Sequence, residues 1–443
     1  VAAAFGAPIG GVLFAMEEAA THWSQALTWR TFCCALTSTF TLNLCQSAVV
    51  SGKIFGQLAH PGLITFGSFL CANKHNYQLR EFPIFIVIGL VCGLLGALFN
   101  WLNHKLTLWR NRHRSTRNRK LIEALSVCAL TALLACALPF ALDDCRPWPK
   151  EESTLDPNCK DGIEPQNNEL QAHFHTMICG EGGGESTLVR LLLSSHDEAI
   201  KLFFHAQDCT SGNTSPFSPA VCIIFFLFAY GLGCLTYGVT VPSGLFVPAI
   251  MAGSAVGRLF GELLCRYGGG YIESTPGSYA LIGAAAMLGG ICRMTISITV
   301  IVVESTTNVN FLLPIAFTIT VAKLAGDYFN NGIYDLHIHL KRYPHLPERI
   351  CKRRERLQAK DVMCPDIRSV SVVEQVSTLI KLLRTTSHNG FPVFSSGARG
   401  TVLGIIRRDQ LKTILMKQHF EQRPTSPHLA MPSNAGANHQ APP

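Results

Sequence analysis

The stretch TVPSGLFVPAIMAGSAVGRLFGE (240–262) contains a bend, a helix start and a face of small residues in one short run. Pro242 and Pro248 indicate a sharp turn into a helix whose first amides have no intrahelical acceptor. If this helix begins inside a membrane, the amides of Leu245 and Phe246 and the positive end of the helix dipole form an anion site without a cationic side chain. Neutral donors allow the anion to leave again, as transport requires. A plain Pro/Gly kink is the alternative interpretation.

The composition indicates a protein that crosses a membrane several times. Hydrophobic residues make up 48% and charged residues 15% of the chain, and its mean hydropathy is +0.25, which argues against an ordinary soluble enzyme. Long uncharged runs predict lipid-embedded helices at 31–52, 82–103, 124–142 and 221–257. Shorter apolar runs predict helices that end within the membrane, at 278–292, 294–303 and 311–322. The predicted fold class is therefore all-α and polytopic.

Two basic clusters predict the orientation of these helices. Residues 110–120 and 341–360 are the densest in Lys and Arg, so both are expected to face the cytoplasm. The polar segment 143–217 follows one span after the first cluster and is predicted to be a luminal loop. The net charge of +8 is interpreted as a topology signal and not as a nucleic-acid surface, because neither cluster has interleaved aromatic residues.

The predicted luminal loop contains four of the 17 cysteines, which are Cys145, Cys159, Cys179 and Cys209. On a non-cytoplasmic loop they fit a disulfide framework in which three pairings are open, and unpaired thiols are the alternative. Asn213 begins a glycosylation sequon that the following Pro216 weakens. The other thirteen cysteines lie mostly in apolar runs, where we expect them to act as small hydrophobic residues. The sequence contains no CxxC pair that would predict a zinc site.

A faint internal repeat links the start of the chain to its later part. AAAFGAPIGGVLFAMEE (2–18) resembles GAAAMLGGICRMTISITVIVVES (283–305), since in both a Gly pair precedes an apolar run and an acid. Echoes of this kind are typical of inverted repeats in transporters. The second copy follows several further spans and the first copy follows none, so we expect the first repeat to be incomplete. The predicted division is a partial first repeat at about 1–65, a second repeat at about 83–325 and a final pore helix at about 327–340.

The character of the chain changes beyond residue 340. A basic cytoplasmic linker (341–358) precedes a segment (359–417) whose pattern predicts a helix, two short strands and a second helix. This segment is interpreted as a small α/β module. The tail 418–443 is rich in Pro, Ala, Ser and Asn and is predicted to be disordered.

Four motifs in a fixed order carry a family resemblance. They are GAPIGGVLFAMEE (6–18), GLFVP with its Gly/Ala helix (244–257), GGICRMTISITVIVVE (289–304) and GDYFNNGIYDLHIHL (326–340). Together with HNGFPV in the C-terminal module they resemble the CLC family of chloride channels and chloride/proton exchangers, over about residues 1–417. RMT, the cysteine-bearing loop and GIYD look most like the intracellular branch of lysosomes, endosomes and plant vacuoles. The resemblance implies the CLC inverted-repeat fold, a homodimer, and a module like the first of the family's two CBS domains.

The resemblance also implies a chloride site. In the family the GLFVP motif holds the central anion, with the amides of Leu245 and Phe246 as donors, so the motif carries over as Gly244, Leu245, Phe246, Val247 and Pro248. Tyr334 of GIYD matches a tyrosine whose hydroxyl contacts the same anion from the cytoplasmic side. By its own pattern, Tyr334 would equally be a tyrosine at the membrane–water interface.

Two adjacent carboxylates end the uncharged opening of the chain. Intramembrane acids are costly and usually functional, although both could simply mark the water boundary of a span. Glu18 matches the internal proton-transfer glutamate of the family's exchangers, whereas Glu17 and its repeat counterpart Glu304 are expected to be structural acids. A titrating residue at position 18 favours an exchanger over a passive channel.

The expected function is that of a chloride/proton antiporter subunit in a lysosomal, endosomal or vacuolar membrane, with lipid, chloride and protons as partners and no cofactor. The alternatives are a passive voltage-gated chloride channel and a regulatory subunit without a pore. An enzyme is not expected, because the HxH pair His337 and His339 has no third ligand or base at a plausible spacing. His388 and Asn389 stand where nucleotide-binding members have Tyr-Ser, which argues against a bound nucleotide.

We predict that residues 1–443 alone do not transport. The family's serine-bearing GSGIP motif and its GKEGP motif, with the external gating glutamate, do not occur in these 443 residues. Chloride-driven proton movement should therefore be absent from liposomes that contain the purified chain. Coupled flux above that of protein-free liposomes would contradict this expectation.

Overall fold

The computed structural model describes residues 1–50, 77–113, 116–141, 145–146, 177–179, 185–204, 217–267, 274–306, 308–341, 343, 357–363, 367–395 and 401–417. The chain divides into two compact units, Val1–Glu348 and Arg349–Pro443. The predicted disordered tail, most of the predicted basic linker, and Cys159, Cys209 and Asn213 lie outside the described residues.

The first unit is built almost entirely of helices, as the composition predicted. In chain order they are α1 (Ala2–Phe5), α2 (Pro8–Phe14), α3 (Gln25–Val50), α4 (Phe82–His113), α5 (Arg117–Ala137), α6 (Thr187–Leu193), α7 (His196–Phe204), α8 (Pro219–Thr236), α9 (Phe246–Tyr267), α10 (Pro276–Cys292), α11 (Ile296–Thr306), α12 (Leu312–Asp327) and α13 (Ile333–Lys341). A π-helical turn (Ala15–Ala19) continues α2, and short 3-10 turns lie at Leu79–Glu81, Leu138–Ala141 and Val309–Phe311. Strands β1 (Cys145–Arg146) and β2 (Glu185–Ser186) form a small antiparallel ribbon.

Within the described part of the chain, five helical segments are long and apolar enough to cross a membrane. They are Leu79–His113, Arg117–Phe140, Pro219–Thr236, Phe246–Tyr267 and Val309–Asp327. The uncharged run 221–257 is interrupted between α8 and α9, where its Gly and Pro residues predicted a bend. Helix α3 covers most of the predicted span 31–52 but is not among the five; its sequence contains many Thr and Ser residues.

Helix α10 is the buried centre of the first unit. Every residue from Pro276 to Cys292 is buried, and helices α4, α9 and α12 pack around it. A helix enclosed on all sides needs no polar face, and α10 is uniformly apolar and rich in small residues. Its start is capped by Thr275, whose hydroxyl accepts from the amide of Ser278 at 3.4 Å. It ends at Arg293, which has a left-handed backbone with φ 67°.

The two segments that the sequence comparison relates share a backbone feature that their residues did not indicate. Gly6 and Arg293 both have left-handed backbones that end a helix, with φ of 62° and 67°, and each precedes a new helix that leads to an acid. The same spacing separates Gly6 from Arg293 and Glu17 from Glu304. The two Gly pairs on which the prediction relied are therefore not equivalent positions: one lies after the left-handed residue and the other before it.

The two repeat-related helices, α2 and α11, exchange contacts at their ends. The carboxylate of Glu304, near the end of α11, accepts from the amides of Ile9 and Gly10 at the start of α2, at 3.2 and 2.9 Å. The carboxylate of Glu17, after α2, accepts from amides at the start of α11. Each helix start thus lies beside the other helix's end, so the two helices run antiparallel. This arrangement agrees with an inverted repeat and with the structural role expected for both acids.

The second unit contains the helix, two strands and helix that its sequence pattern predicted. Strand β3 (Val370–Ser371) pairs in parallel with β4 (Gly390–Phe394), which pairs antiparallel with β5 (Val402–Arg407). Helices α14 (Ala359–Val362), α15 (Val376–Thr385) and α16 (Arg408–Met416) complete it. Its small core consists of Val370, Phe391 and Leu411.

The crossing of α9 and α10 yields a stability prediction. A β-carbon at Gly257 would collide with the backbone carbonyl oxygen of Tyr279, whereas one at Gly231 in α8 would meet no atom within 4 Å. We expect Gly257→Ala to lower the free energy of unfolding by about 3 kcal/mol or more, since neither backbone can yield cheaply. Gly231→Ala is the matched control and should stay within about 1 kcal/mol of the wild type. Denaturant unfolding in detergent measures both, and equal stability of the two variants would contradict the packing.

Candidate anion and proton site

The start of α9 has the geometry that the sequence predicted for an anion site. Residues 240–245 are irregular, and the carbonyl of Leu245 accepts the first helical bond, from the amide of Ala249 at 3.1 Å. The amides just before and within this first turn therefore have no intrahelical acceptor. Leu245 is buried, and the space beside Gly244 is open, since a β-carbon there would meet no atom within 4 Å. The start of a long helix next to open space can receive an anion.

The first turn of α9 packs against the opening segment of the chain. The ring of Phe246 lies 5.8 Å, centroid to centroid, from the rings of both Phe5 and Phe14. Phe5 belongs to α1 and Phe14 ends α2, so the predicted anion motif and the segment that ends in two acids are direct neighbours. On another side, a small residue lets α2 pack closely against α11. Gly10 faces Ile301 of α11 so closely that a β-carbon would lie 2.5 Å from the Ile301 side chain.

Tyr334 approaches the same region from α13. It is half-buried, and its hydroxyl is hydrogen-bonded to the thiol of Cys292, the last residue of α10. Its side chain also lies within electrostatic range of Tyr237 and of Glu18. Tyr334 therefore contacts the interior of the protein, and its part in chloride binding stays a prediction.

The two adjacent acids have different surroundings. The carboxylate of Glu17 accepts four hydrogen bonds, from the amide and hydroxyl of Thr295 (2.7 and 3.2 Å) and of Ser297 (2.9 and 2.6 Å). Glu18 instead lies within electrostatic range of Asp335 and Lys323. Both acids belong to the π-helical turn, a rare geometry that is frequent at functional sites. The carboxylate of Glu17 is thus hydrogen-bonded at the start of α11, whereas Glu18 lies near charged groups of α12 and α13.

A buried polar stripe on α4 holds the elements that carry these residues, and sequence reasoning missed it. Its members are Asn100, Asn103, Thr107 and Arg110. Polar side chains three or four positions apart inside an apolar span were a usable signal, because such residues must find partners. Asn100 donates to the carbonyls of Ile291 and Asn331, at 3.0 and 3.2 Å.

The C-terminal part of the same stripe binds the end of α8. Asn103 donates to the carbonyls of Cys234 and Tyr237, at 3.2 and 2.9 Å, and Arg110 donates to those of Leu235 and Tyr237. Arg110 is neutralised by Glu123 of α5, with 2.8 Å between Nε and Oε1. The stripe therefore binds the carbonyls at the end of α8 and fixes the loop that leads to the start of α9.

The histidine pair of α13 does not form a metal site in the described residues. His337 Nε2 lies 3.0 Å from Asn103 Oδ1, and its ring packs edge-on against Tyr237, while His339 is exposed. No group of three metal-binding side chains is found in the part of the chain that the structure describes. α13 lies beyond the five candidate spans; burial, followed by the charges of Lys341 and His104, lowers the pKa of His337 and keeps its ring neutral near pH 7.

One disulfide bond between the four cysteines of segment 143–217 is observed. Cys145 is bonded to Cys179, which agrees with the prediction of a disulfide framework in segment 143–217. Cys265, in the last turn of α9, is also disulfide-bonded; it lies between Glu262 and Arg266, outside the uncharged runs in which cysteines were predicted to act as small hydrophobic residues.

Comparisons with known proteins agree with the geometry. A family model described as voltage gated chloride channel matches residues 1–327. The chain is 39% identical to mouse H(+)/Cl(-) exchange transporter 7 over 428 residues, which cover 96% of this chain and 50% of that protein. It is 34% identical to chloride channel protein CLC-d of Arabidopsis thaliana, over 96% of this chain and 52% of that protein. The chain thus spans about half the length of the curated relatives it matches.

A solved structure shares the fold. The crystal structure of a eukaryotic CLC transporter superposes with a TM-score of 0.54 at 22% sequence identity, over 96% of this chain and 60% of that one. At this identity the likeness supports the helical architecture and not the roles of individual residues.

The different surroundings of the adjacent acids yield a matched pair of variants. Glu17→Gln should lower the free energy of unfolding by about 2 kcal/mol, because a neutral amide cannot accept four hydrogen bonds at the start of α11. Glu18→Gln, one position away on the same turn, should change it by less than about 0.5 kcal/mol. Reversible unfolding in mixed detergent measures both. An equal loss in the two variants would contradict the structural role assigned to Glu17 alone.

Proposed function

The chain belongs to the voltage gated chloride channel family, and from this we propose that it is a subunit of a chloride/proton antiporter. The observation that carries the proposal is the convergence of three elements: the start of α9, the hydroxyl of Tyr334 and the carboxylate of Glu18. Phe246 packs on the segment that ends in Glu18, and Tyr334 lies within electrostatic range of Glu18. A transport role, and not an enzymatic one, fits these groups.

In the proposed mechanism, chloride binds at the start of α9. The amides of Leu245 and Phe246 donate to the anion, the remainder of the motif (Gly244, Val247 and Pro248) shapes the turn, and Tyr334 donates its hydroxyl from the other side. For this the hydroxyl must exchange the thiol of Cys292 for the anion. Donors without formal charge hold a chloride ion without trapping it, which suits a site that must load and unload in each cycle.

Glu18 is proposed as the cytoplasmic proton acceptor. It lies beside the ion-carrying elements, and unlike Glu17 its carboxylate is not engaged by the amides that start α11. A carboxylate at this place can take a proton from the cytoplasmic side and transfer it towards the anion path. The relatives named H(+)/Cl(-) exchange transporter 7 favour exchange. A passive chloride channel is the second candidate, since CLC-d and other relatives are named chloride channel proteins.

Further features of the proposal concern assembly and location. We propose a homodimer in an intracellular membrane of lysosomal, endosomal or vacuolar type. Its second unit is proposed to be a single CBS domain with a regulatory and dimer-stabilising role and no bound nucleotide. The bond between Cys145 and Cys179 supports an oxidising environment on the luminal side.

The proposal is tested by reconstitution in liposomes of the chain preceded by the segment of the mouse relative that lies ahead of its matched region. An antiporter gives a chloride reversal potential that shifts with pH, whereas a channel reverses at the chloride equilibrium potential at every pH. Glu18→Gln should reduce proton movement about tenfold or more while chloride flux persists. Glu374→Gln, an exposed acid of the second unit, is the control and should change neither flux. A complete lack of flux in the chimera would favour a subunit without a pore.

A further inference from the structure

Helix α13 is short, and few contacts fix its position. Of its nine residues, Ile333 is fully buried, and Tyr334 and His337 are half-buried. Tyr334 and His337 are three positions apart and therefore share one face of the helix. Asp335 and His339 are exposed. Leu336, Ile338 and Leu340 are also half-buried, but apolar packing has no direction, so the hydrogen bonds on the Tyr334–His337 face set the rotation of α13, and with it the place of the Tyr334 hydroxyl, most sharply.

The contact of His337 is a hydrogen bond whose direction the structure determines. The amide nitrogen of Asn103 is directed at two backbone carbonyls, those of Cys234 and Tyr237, which can only accept. The amide oxygen of Asn103 must therefore be the atom that faces His337 Nε2, at 3.0 Å. Because that oxygen cannot donate, the proton of this bond is carried by Nε2 of His337.

The bond is shielded from competition with water. Asn103 is fully buried in α4, and the His337 ring packs against the ring of Tyr237, with centroids 5.1 Å apart at 85°. The charged groups near the ring are Lys341 and His104, and Arg110 also lies close by, since a β-carbon at Gly238 would lie 3.3 Å from Arg110 Nη1 and 3.7 Å from His337 Cε1. With three cationic or basic neighbours, the ring gains nothing from a second proton, so a neutral Nε2–H donor is the stable form.

Asn103 connects His337 to the other half of the proposed chloride site. Its two donated bonds hold the end of α8 and Tyr237, from which the chain runs directly to Leu245 and the start of α9. Its accepted bond holds α13, which carries Tyr334. At the other end of the same helix face, the Tyr334 hydroxyl is bonded to Cys292. The buried side chain of Asn103 is thus hydrogen-bonded both to the segment that leads to the start of α9 and to α13, the two elements that are proposed to contact chloride.

We propose that His337 is a positioning residue for anion binding: by donating its Nε2 proton to Asn103, it fixes the rotation of α13 and so places the hydroxyl of Tyr334. The effect on chloride rests on the proposed function, whereas the effect on Tyr334 does not. His337 itself does not touch the anion.

Two substitutions separate the hydrogen bond from the packing of the ring. His337→Phe keeps a ring against Tyr237 but has no donor, and His337→Gln keeps a donor at the position of Nε2 but has no ring. His339→Phe, at an exposed position of the same helix, is the matched control. All are made in the complete chain, and thermal unfolding in detergent establishes that each is folded.

The first readout follows Tyr334 itself. With 3-fluorotyrosine incorporated at position 334, the fluorine resonance reports the surroundings of the hydroxyl. We expect His337→Phe to shift or broaden this resonance, while His337→Gln and His339→Phe leave it at the wild-type position. An unchanged resonance in His337→Phe, or an equal change in His337→Gln, would overturn the inference. If the phenylalanine variant does not fold, the glutamine variant still decides, because a retained bond requires an unshifted resonance.

The second readout is chloride affinity, measured by calorimetric titration of the purified chimera described above with chloride against a background of gluconate. His337→Phe should raise the Kd about tenfold, the effect of losing one hydrogen bond that orders the site, and His337→Gln should stay within about twofold. In the background of Tyr334→Phe, the change at His337 should add less than about twofold, because its effect passes through the missing hydroxyl. A full tenfold addition would show a general structural role and overturn the inference.

The two readouts distinguish failure of the inference from failure of the proposed function. A wild-type chimera that shows no chloride binding, together with the expected fluorine shifts, contradicts the proposed function and supports the placement of Tyr334 by His337. Chloride binding by the wild type, together with fluorine resonances that do not respond to His337→Phe, does the reverse.

Discussion

The backbone amides and carbonyls at helix ends are polar groups in an apolar interior. Their need for hydrogen-bond partners organises this structure. Four amides at each start and four carbonyls at each end lack intrahelical partners, and lipid supplies none. Several helices of the first unit end inside the protein, and side chains from elsewhere bind those ends. Glu304 and Glu17 bind the starts of α2 and α11, Asn103 and Arg110 bind the end of α8, and Arg258 donates to the carbonyl of Phe203 near the end of α7, at 3.0 Å.

The start of α9 differs from the starts of α2 and α11 in what lies beside it. The starts of α2 and α11 are occupied by carboxylates that belong to the protein and cannot leave. The start of α9 has the same electrostatic character, beside open space at Gly244. Two of the helix starts in this region are thus filled by fixed anions, and in the proposed function the start of α9 is the one that receives a mobile anion. Glu18, adjacent to a fixed carboxylate but directed elsewhere, is the acid that the proposal assigns to proton transfer.

The sequence predicted most of the helices, the bend before α9 and the position of the two adjacent acids at the end of an apolar segment, because each depends on local pattern. Apolar run length defines a span, Pro and Gly mark the bend before α9, and the end of an uncharged run locates Glu17 and Glu18. The left-handed backbone of Arg293 was not predicted, since an arginine in this conformation has no sequence signature. The stripe on α4 and the Asn103–His337 bond join residues distant in sequence, so only packing reveals them.

The exchange of end contacts between α2 and α11 also bears on how such a chain could arise. Each acid serves the other helix and not its own, so neither half can satisfy its helix start alone. Two identical copies of an ancestral half, inserted in opposite orientations and related by a twofold axis, would make both contacts with one sequence, as any self-complementary interface does. Fusion of such a pair would leave Glu17 and Glu304 mutually dependent, so that loss of either carboxylate by genetic drift would expose a helix start in the other half.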